Sequence, residues 1–235
     1  MSHYICSKIS RFLIGTSLPK FLAQSGLYHR FVAVQPERVA EYKTEPAQRL
    51  PAAAFVTSMR DPAFAKSVSA IIKAGAFGLA GQYSITPWSG ELAGVPAFGY
   101  SFPENGKFSD DPTNSRFNYQ PTFATVKDQY IFASNRGLCQ ELIEIVQKGE
   151  DQQPMNPNMQ LRLHAKGLGD YANFAPEQAL AAAILAQGLP IAEARKHTEA
   201  LIGFAQKLGS IRVETDYTAK DFHFDFSWKI KSVAK

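Results

Sequence analysis

The sequence lacks the features that define several classes of protein. Its 235 residues include only two cysteines, Cys6 and Cys139, too few for the disulfide framework of a small secreted domain. No apolar run approaches the roughly 18 residues that a membrane-spanning helix needs. Hydrophobic residues make up 45% of the chain and charged residues 20%, which excludes wholesale disorder. We therefore expect a globular protein, and its length favours two domains over one.

The sequence also has little net charge, and the excess lies at one end. The formal net charge is +4. Residues 1–30 contain four basic and no acidic residues, whereas residues 31–235 carry the two kinds in equal number. A nucleic-acid-binding domain spreads its basic residues over a folded face instead. The distribution therefore predicts that the protein does not bind nucleic acid.

The basic segment at the start of the chain has an amphipathic pattern. Apolar residues recur at helical spacing from Ile5 to Leu13, and Lys8 and Arg11 lie off that line. Three interpretations are open: a helix packed on its own domain, a helix docked on a membrane surface or a partner protein, and a targeting peptide. The apolar stretch is too short for a secretory signal, so no signal peptide is predicted. The candidate docking residues are Lys8, Arg11, Phe12 and Lys20.

Patterns along the chain predict three segments. Residues 1–50 form a basic N-terminal arm and connector, residues 51–150 a first α+β unit, and residues 151–235 a second α+β unit. The linker between the two units is placed at residues 150–158, which are polar and interrupted by prolines.

Local signals predict the elements of the first unit. An apolar run over residues 52–59 predicts a buried strand, and Asp61 followed by Pro62 predicts the start of a helix. Glycines predict the end of that helix at residues 75–81. The further elements predicted are a strand over residues 95–102, a solvent loop over 103–116, a hairpin of strands 117–126 and 130–134 with its turn at Lys127 and Asp128, and a helix capped by Ser134 or Asn135.

The second unit is predicted to combine one strand, two helices and a hairpin. The strand covers residues 159–168 and ends in a turn at Gly169, and the helices cover residues 176–187 and 190–208. The hairpin pairs residues 211–218 with 222–230. Short turns between paired strands require antiparallel pairing. We predict an α+β fold of mainly antiparallel sheets with helices packed on one face, and the strand–helix–strand order of both units suggests a degenerate internal duplication.

The last predicted strand has the most regular alternation in the chain. Its even-numbered residues from Phe222 to Ile230 are apolar, and Asp221, His223 and Asp225 project from the other side. These three side chains could bind a metal, or they could form the solvated face of a half-covered sheet. We expect the second, because no other group with metal-ligand spacing is present. The sequence also lacks a recognisable nucleophile motif or phosphate-binding loop, so no catalytic residue, metal or cofactor is predicted.

Aromatic residues flank the predicted solvent loop. Trp88, Tyr100 and Phe102 are candidates for a ligand groove or a partner surface, although aromatic residues on strands are more often part of the core. Asp110 and Asp111 lie in the loop between the flanking strands and form a candidate cation or ligand site of low specificity.

Several short runs resemble a known group of proteins. They are Arg60–Phe64, Gly99–Glu104, Phe123–Gln129 and Ala133–Ser134 ahead of Leu138–Cys139. Over about residues 50–230 the chain resembles uncharacterised exported proteins of planctomycete-type bacteria. The resemblance implies an exported protein of the cell envelope or periplasm, and it supplies no active-site residues.

These observations lead to one functional expectation and two alternatives. We expect a non-catalytic structural or accessory subunit of an envelope or membrane-associated assembly, which acts through contacts with other protein subunits and touches a membrane through the arm. The alternatives are a lipid or small-ligand binding protein, which a sheet with an apolar face under helices would suit, and an enzyme whose site is not recognised.

Overall fold

The computed structural model describes residues 17–35, 42–105, 111–149, 159–174, 176–218 and 220–230. The chain divides into two compact units: unit 1 comprises Met1–Ala47 and Pro51–Gln152, and unit 2 comprises Gln48–Leu50 and Gln153–Lys235. Each unit contains helices and an antiparallel sheet, so the predicted α+β class with mainly antiparallel sheets is confirmed.

Unit 1 is built on a six-stranded antiparallel sheet with the order β1-β2-β6-β5-β4-β3. Its described elements are α1 (Leu18–Gln24), β1 (Ser25–Val34), β2 (Ala52–Met59), α2 (Ala63–Tyr83), β3 (Thr86–Leu92), β4 (Val95–Ser101), a 3₁₀ helix (Ser115–Asn118), β5 (Thr122–Val126), β6 (Gln129–Ala133) and α3 (Arg136–Lys148).

One face of this sheet packs against α3. The helix begins where the side chain of Asn135 accepts a hydrogen bond from the Leu138 N–H at 2.8 Å, which confirms the predicted cap. Ile143 of α3 and Ile131 of β6 are both fully buried in the core that the helix and the sheet share. This core holds the small and branched side chains that the strands direct to that face.

The opposite face of the sheet packs against α2. Phe64 of this helix forms a second buried cluster with Phe123 and Tyr130. Because side chains alternate along a strand, Tyr130 and its neighbour Ile131 point to opposite faces. Helices therefore lie on both faces of the unit 1 sheet, whereas one covered face was expected.

The segment predicted as a basic arm and connector, residues 1–50, contributes a strand to unit 1. Within the described part of residues 1–50, β1 pairs antiparallel with β2 along the sheet edge, with Phe31 opposite Phe55 and Val34 opposite Ala52. Residues 25–34 therefore belong to the sheet of unit 1. Backbone hydrogen bonds of the edge strand supply an interaction that local sequence patterns do not reveal.

Helix α2 is longer than predicted. It continues through Gly75, Gly78 and Gly81 and ends only at Ser84, which adopts a left-handed conformation with φ of 50°. Glycine costs a helix about 1 kcal/mol relative to alanine, which weakens a helix without ending it. Contacts between the sheet and the apolar side chains of α2, such as Phe64, Val68 and Ile72, offset that cost.

In its described residues, unit 2 contains a three-stranded antiparallel sheet with the order β7-β8-β9 and three helices. Its elements are β7 (Met159–His164), α4 (Ala165–Phe174), α5 (Pro176–Gln187), α6 (Ile191–Lys207), β8 (Ser210–Tyr217) and β9 (Phe222–Lys229). Both predicted helices and the hairpin are confirmed.

The predicted turn at Gly169 is instead part of helix α4, and strand β7 ends at His164. A Cβ atom at Gly169 would lie 2.7 Å from Cγ of Gln206 in α6. Glycine is therefore needed here for close packing of two helices, a requirement that the local pattern does not distinguish from a turn.

The two sheets do not repeat each other. In unit 1 the strand that follows the first long helix, β3, lies at the far edge of the sheet from β2. In unit 2 the strand that follows the helices, β8, pairs directly with β7. The similar order of elements along the chain therefore does not correspond to a shared topology.

Candidate functional site

A cleft lies between the C-terminal half of α2 and the sheet of unit 1. In the first half of the helix, Phe64, Val68 and Ile72 pack against the aromatic side chains of the sheet. Beyond Ile72 the same face of the helix continues with Gly75 and Ala76, which have little or no side chain. The space that larger residues would fill therefore stays open.

The cleft consists of two adjoining cavities that share Ala76, Ile85 and Tyr100. The first has a volume of about 490 Å³, and its exposed lining is almost entirely apolar. The second has a volume of about 440 Å³ and carries Lys73 and Phe98. Both volumes fall within the roughly 300–1,000 Å³ typical of small-molecule sites. The first cavity is lined by Ile72, Gly75, Ala76, Ile85, Tyr100, Ser101, Phe102 and Pro121.

Two of the three aromatic residues singled out from the sequence line the first cavity. Tyr100 faces α2 from β4, and Phe102 follows the end of that strand. The hydroxyl of Tyr42 accepts a hydrogen bond from the Phe102 N–H at 2.9 Å and donates one to the Tyr119 carbonyl at 3.1 Å. These two hydrogen bonds fix the backbone at Phe102 and Tyr119, beside the first cavity.

The ring of the third aromatic residue, Trp88, packs on the opposite face of the sheet. Trp88 pairs with Gly99, and the Arg136 guanidinium of α3 lies 4.8 Å from the centre of the indole ring. A Cβ atom at Gly99 would lie 2.6 Å from Nε1 of Trp88. The missing side chain therefore lets the indole lie flat across β4 on the α3 side of the unit. Trp88 and Gly99 also border the second cavity.

A row of phenylalanines crosses five strands on the α2 face. The strand register places Phe31, Phe55, Phe132, Phe123 and Phe98 successively opposite one another. Adjacent rings of Phe123 and Phe132 stack with centroids 4.9 Å apart. Phe123 is 4% exposed beneath α2, whereas Phe31 at the sheet edge is 73% exposed. The sequence alone does not reveal this row, because the alignment of the rings depends on the register between strands that are distant along the chain.

Asp111 stabilises the turn that precedes the 3₁₀ helix. Its carboxylate accepts hydrogen bonds from the Ser115 and Arg116 backbone N–H groups at 2.7 and 3.0 Å and forms a salt bridge with Arg116 at 3.0 Å. Burial favours the neutral acid, but these hydrogen bonds outweigh it and hold the pKa of Asp111 well below its ordinary value. Its oxygens are occupied, so the geometry gives no support to a cation site there; Asp110 lies outside the described residues.

Most of the predicted docking arm also lies outside the described residues, including Lys8, Arg11 and Phe12. Lys20 is exposed on α1, and its neighbour Phe21 packs against Phe64 of α2 with ring centroids 5.0 Å apart. Among the described helices, none combines the length and the hydrophobicity of a membrane-spanning segment.

Unit 2 has an extended apolar surface on its sheet, here called the open face. The register places Leu161 opposite Val213 and Val213 opposite Phe226, so apolar side chains of all three strands lie side by side. Phe226 is 54% exposed and Phe224 is 60% exposed. The face was expected to lie under helices, and the structure instead leaves it accessible. It comprises Met159, Leu161, Leu163, Ile211, Val213, Thr215, Tyr217, Phe222, Phe224, Phe226 and Trp228.

The polar side of the same sheet carries Asp221, His223 and Asp225. All three are exposed, in agreement with the solvated face that the alternation indicated. In the described part of the chain, no three His, Cys, Asp or Glu residues are placed to hold a metal ion. Glu214, on β8 beside Asp225, accepts hydrogen bonds from Arg212 and Gln160, and these lower the pKa of its carboxyl group.

Cys139 is fully buried against the sheet of unit 1. Burial raises the pKa of its thiol to about 12, so the thiolate that would act as a nucleophile is scarce at neutral pH. The structure places it among apolar side chains of the core, as its helical pattern indicated.

Comparison with known proteins gives no relative: no family model, no curated protein and no solved structure matches the chain. The cleft of unit 1 and the open face of unit 2 are therefore the structural features that support a functional proposal.

Proposed function

We propose that this protein is a non-catalytic subunit that acts through protein–protein contacts and that the open face of unit 2 is its contact surface. The observation that carries the proposal is the exposure of contiguous apolar side chains on all three strands of one sheet. Monomeric proteins rarely expose apolar patches of more than a few hundred Å². Eight of its large side chains are 36–67% exposed. At about 200 Å² for each large side chain, they present roughly 800 Å² to solvent.

The occupant that fits this surface is a second copy of the chain. A stable interface buries about 800 Å² on each partner, which is what the open face offers. The face is self-complementary, since antiparallel sheets pack face to face about 10 Å apart with their side chains interdigitated. Its described positions carry no charged side chain. A symmetric dimer in which two copies of this face pack together would therefore place no like charges opposite each other.

The mass of the protein in solution tests this proposal. Sedimentation velocity of the full chain at about 1–100 µM should show a species of two chains, because the buried area is that of a standard interface. Phe226→Asp and Phe224→Asp should each give a single chain, because each would place a carboxylate in an apolar interface.

Phe77→Asp provides the matched control, because Phe77 is 86% exposed on α2 of unit 1 and should leave the mass at two chains. Circular dichroism shows whether each variant retains its helices and strands. A wild-type protein that sediments as one chain at every concentration would overturn the proposal. A dimer that all three variants leave intact would place the contact elsewhere.

The location of the assembly in the envelope, and contact of the N-terminal arm with a membrane, remain part of the proposal. They are supported by the resemblance to exported proteins and by the basic charge of residues 1–30. Binding of the full chain to vesicles containing anionic lipid should fall when Lys8 and Arg11 are both changed to Glu. Equal binding of that variant and the wild-type protein would rule out docking through the arm.

A further inference from the structure

The cleft beneath α2 has the construction of a site for one elongated apolar group. Its first cavity is bounded by the aliphatic side chain of Ile72 and the aromatic rings of Tyr100 and Phe102. Ala76, Ile85 and Tyr100 line both cavities, so the two cavities lie side by side along these residues. Small-molecule sites combine such a lining with a few polar groups that fix orientation.

A positive charge, that of Lys73, lies at the second cavity. The Lys73 ammonium lies 4.7 Å from the centre of the Phe98 ring, and both residues line this cavity. A cation over an aromatic face is held by the electrostatic field of the ring while its remaining donors stay available. Among the described residues that line the two cavities, none carries a carboxylate. The electrostatic potential in the cleft therefore favours the binding of an anion over that of a cation.

We infer that the cleft binds a single-chain anionic amphiphile, with its hydrocarbon chain against Ile72, Ala76 and Tyr100 and its anionic group at Lys73. This inference concerns unit 1 and does not depend on association through the open face of unit 2. A tyrosine phenol is uncharged at neutral pH, and burial raises the pKa of Tyr100 further, so this wall of the cleft carries no charge that would repel an anion.

Titration calorimetry with dodecanoate, kept below its micelle concentration, tests whether the cleft takes a hydrocarbon chain. Gly75→Leu should abolish detectable binding, because Gly75 lines the first cavity and a larger side chain would occupy it. An added Cβ at Gly75 meets no atom within 4 Å, and leucine favours helix more than glycine does, so the variant should fold.

Gly78→Leu is the matched control. Gly78 lies on the same helix, an added Cβ there also meets no atom within 4 Å, and it does not line either cavity. This variant should bind dodecanoate like the wild-type protein. Absence of binding by the wild-type protein, or equal loss in both glycine variants, would overturn the inference.

The role of the charge is tested by the head group and by Lys73. Dodecanoate should bind more tightly than dodecyltrimethylammonium, and Lys73→Ala should weaken dodecanoate binding about three- to fivefold, the size expected of an exposed ion pair. Lys66→Ala, an exposed position on the same helix outside the cavities, should have no effect. Equal affinity for the two amphiphiles would contradict the assignment of the anionic group to Lys73.

The open face of unit 2 is the other surface on which a hydrocarbon chain could adsorb. Phe226→Asp alters that face and should leave dodecanoate binding unchanged. Loss of binding in Phe226→Asp with retention in Gly75→Leu would place the ligand on unit 2 and contradict the inference.

Discussion

Substitution of Gly99 by alanine should destabilise unit 1, because two groups already occupy the space of the new methyl group. The added Cβ atom would overlap the Pro121 carbonyl oxygen and would lie 2.6 Å from Nε1 of Trp88. The Pro121 oxygen cannot withdraw freely, since it accepts a hydrogen bond from the Tyr100 N–H at 3.0 Å. Relief of the contact therefore requires displacement of the Trp88 indole from the strand that it covers.

Overpacking of this kind typically costs about 1–3 kcal/mol. In a protein of 150–250 residues each kcal/mol shifts the melting temperature by about 2–4 °C, so Gly99→Ala should lower it by roughly 2–12 °C. Thermal unfolding followed by circular dichroism measures the change. Tryptophan emission should shift at the same time, because Trp88 is one of two tryptophans in the chain.

Gly90→Ala is the matched control for this prediction. Gly90 lies in β3 two residues beyond Trp88, and a Cβ atom there meets no atom within 4 Å. It should change the melting temperature by no more than about 2 °C, as expected of a surface substitution. A Gly99→Ala protein as stable as Gly90→Ala would refute the placement of Trp88 across Gly99.

Two further predictions concern polar groups that hold local structure. Asp111→Asn should reduce stability at pH 7 by about 1.5–3 kcal/mol, because it weakens hydrogen bonds to a charged group. The folded-state pKa of Asp111 is lowered, so its contribution is complete above the ordinary carboxyl pKa and is lost as pH falls toward the folded-state pKa. Urea unfolding should therefore show a constant difference at pH 5–8 that narrows below about pH 4; a difference that widens there would contradict this assignment. Asn135→Ala should cost about 1 kcal/mol through loss of the α3 cap, whereas Asn135→Asp should retain most of the stability; equal urea midpoints for Asn135→Ala and wild type would contradict the cap.

Elements that depend on neighbouring residues could be predicted from the sequence. The cap at Asn135 and the turn at Lys127 and Asp128 are both present, and Lys127 adopts the positive φ of 52° that a tight turn requires. The hairpin of β8 and β9 follows from the alternation that ends at Ile230. In each case the deciding interactions lie within a few residues along the chain.

Features that depend on distant residues could not be predicted in the same way. Glycines at 75, 78 and 81 have the same local signature whether they end a helix or sit within one that packing stabilises. Gly75 lines the first cavity, and the space beside it depends on how α2 packs on the sheet. The sequence alone therefore does not identify Lys73, which lines the adjoining cavity, as a site residue.

Only part of the candidate site follows from the sequence. Tyr100 and Phe102 were identified as aromatic residues near a groove, and both line the cleft. The Trp88 ring packs on the other face, although the residue also borders the second cavity, and that placement requires its pairing with Gly99. Alternation predicted the apolar side of β9 correctly, but which element covers that side is a matter of tertiary packing, and the helices of unit 2 leave it exposed.

Side-chain footprinting of the full-length protein at low and high concentration tests the central claim most directly. If two copies meet through the open face, radical labelling of Phe224, Phe226 and Trp228 should fall as the protein associates, while labelling of Phe77 stays constant. Labelling of those three residues that is the same in the one-chain and two-chain species would contradict the proposed interface.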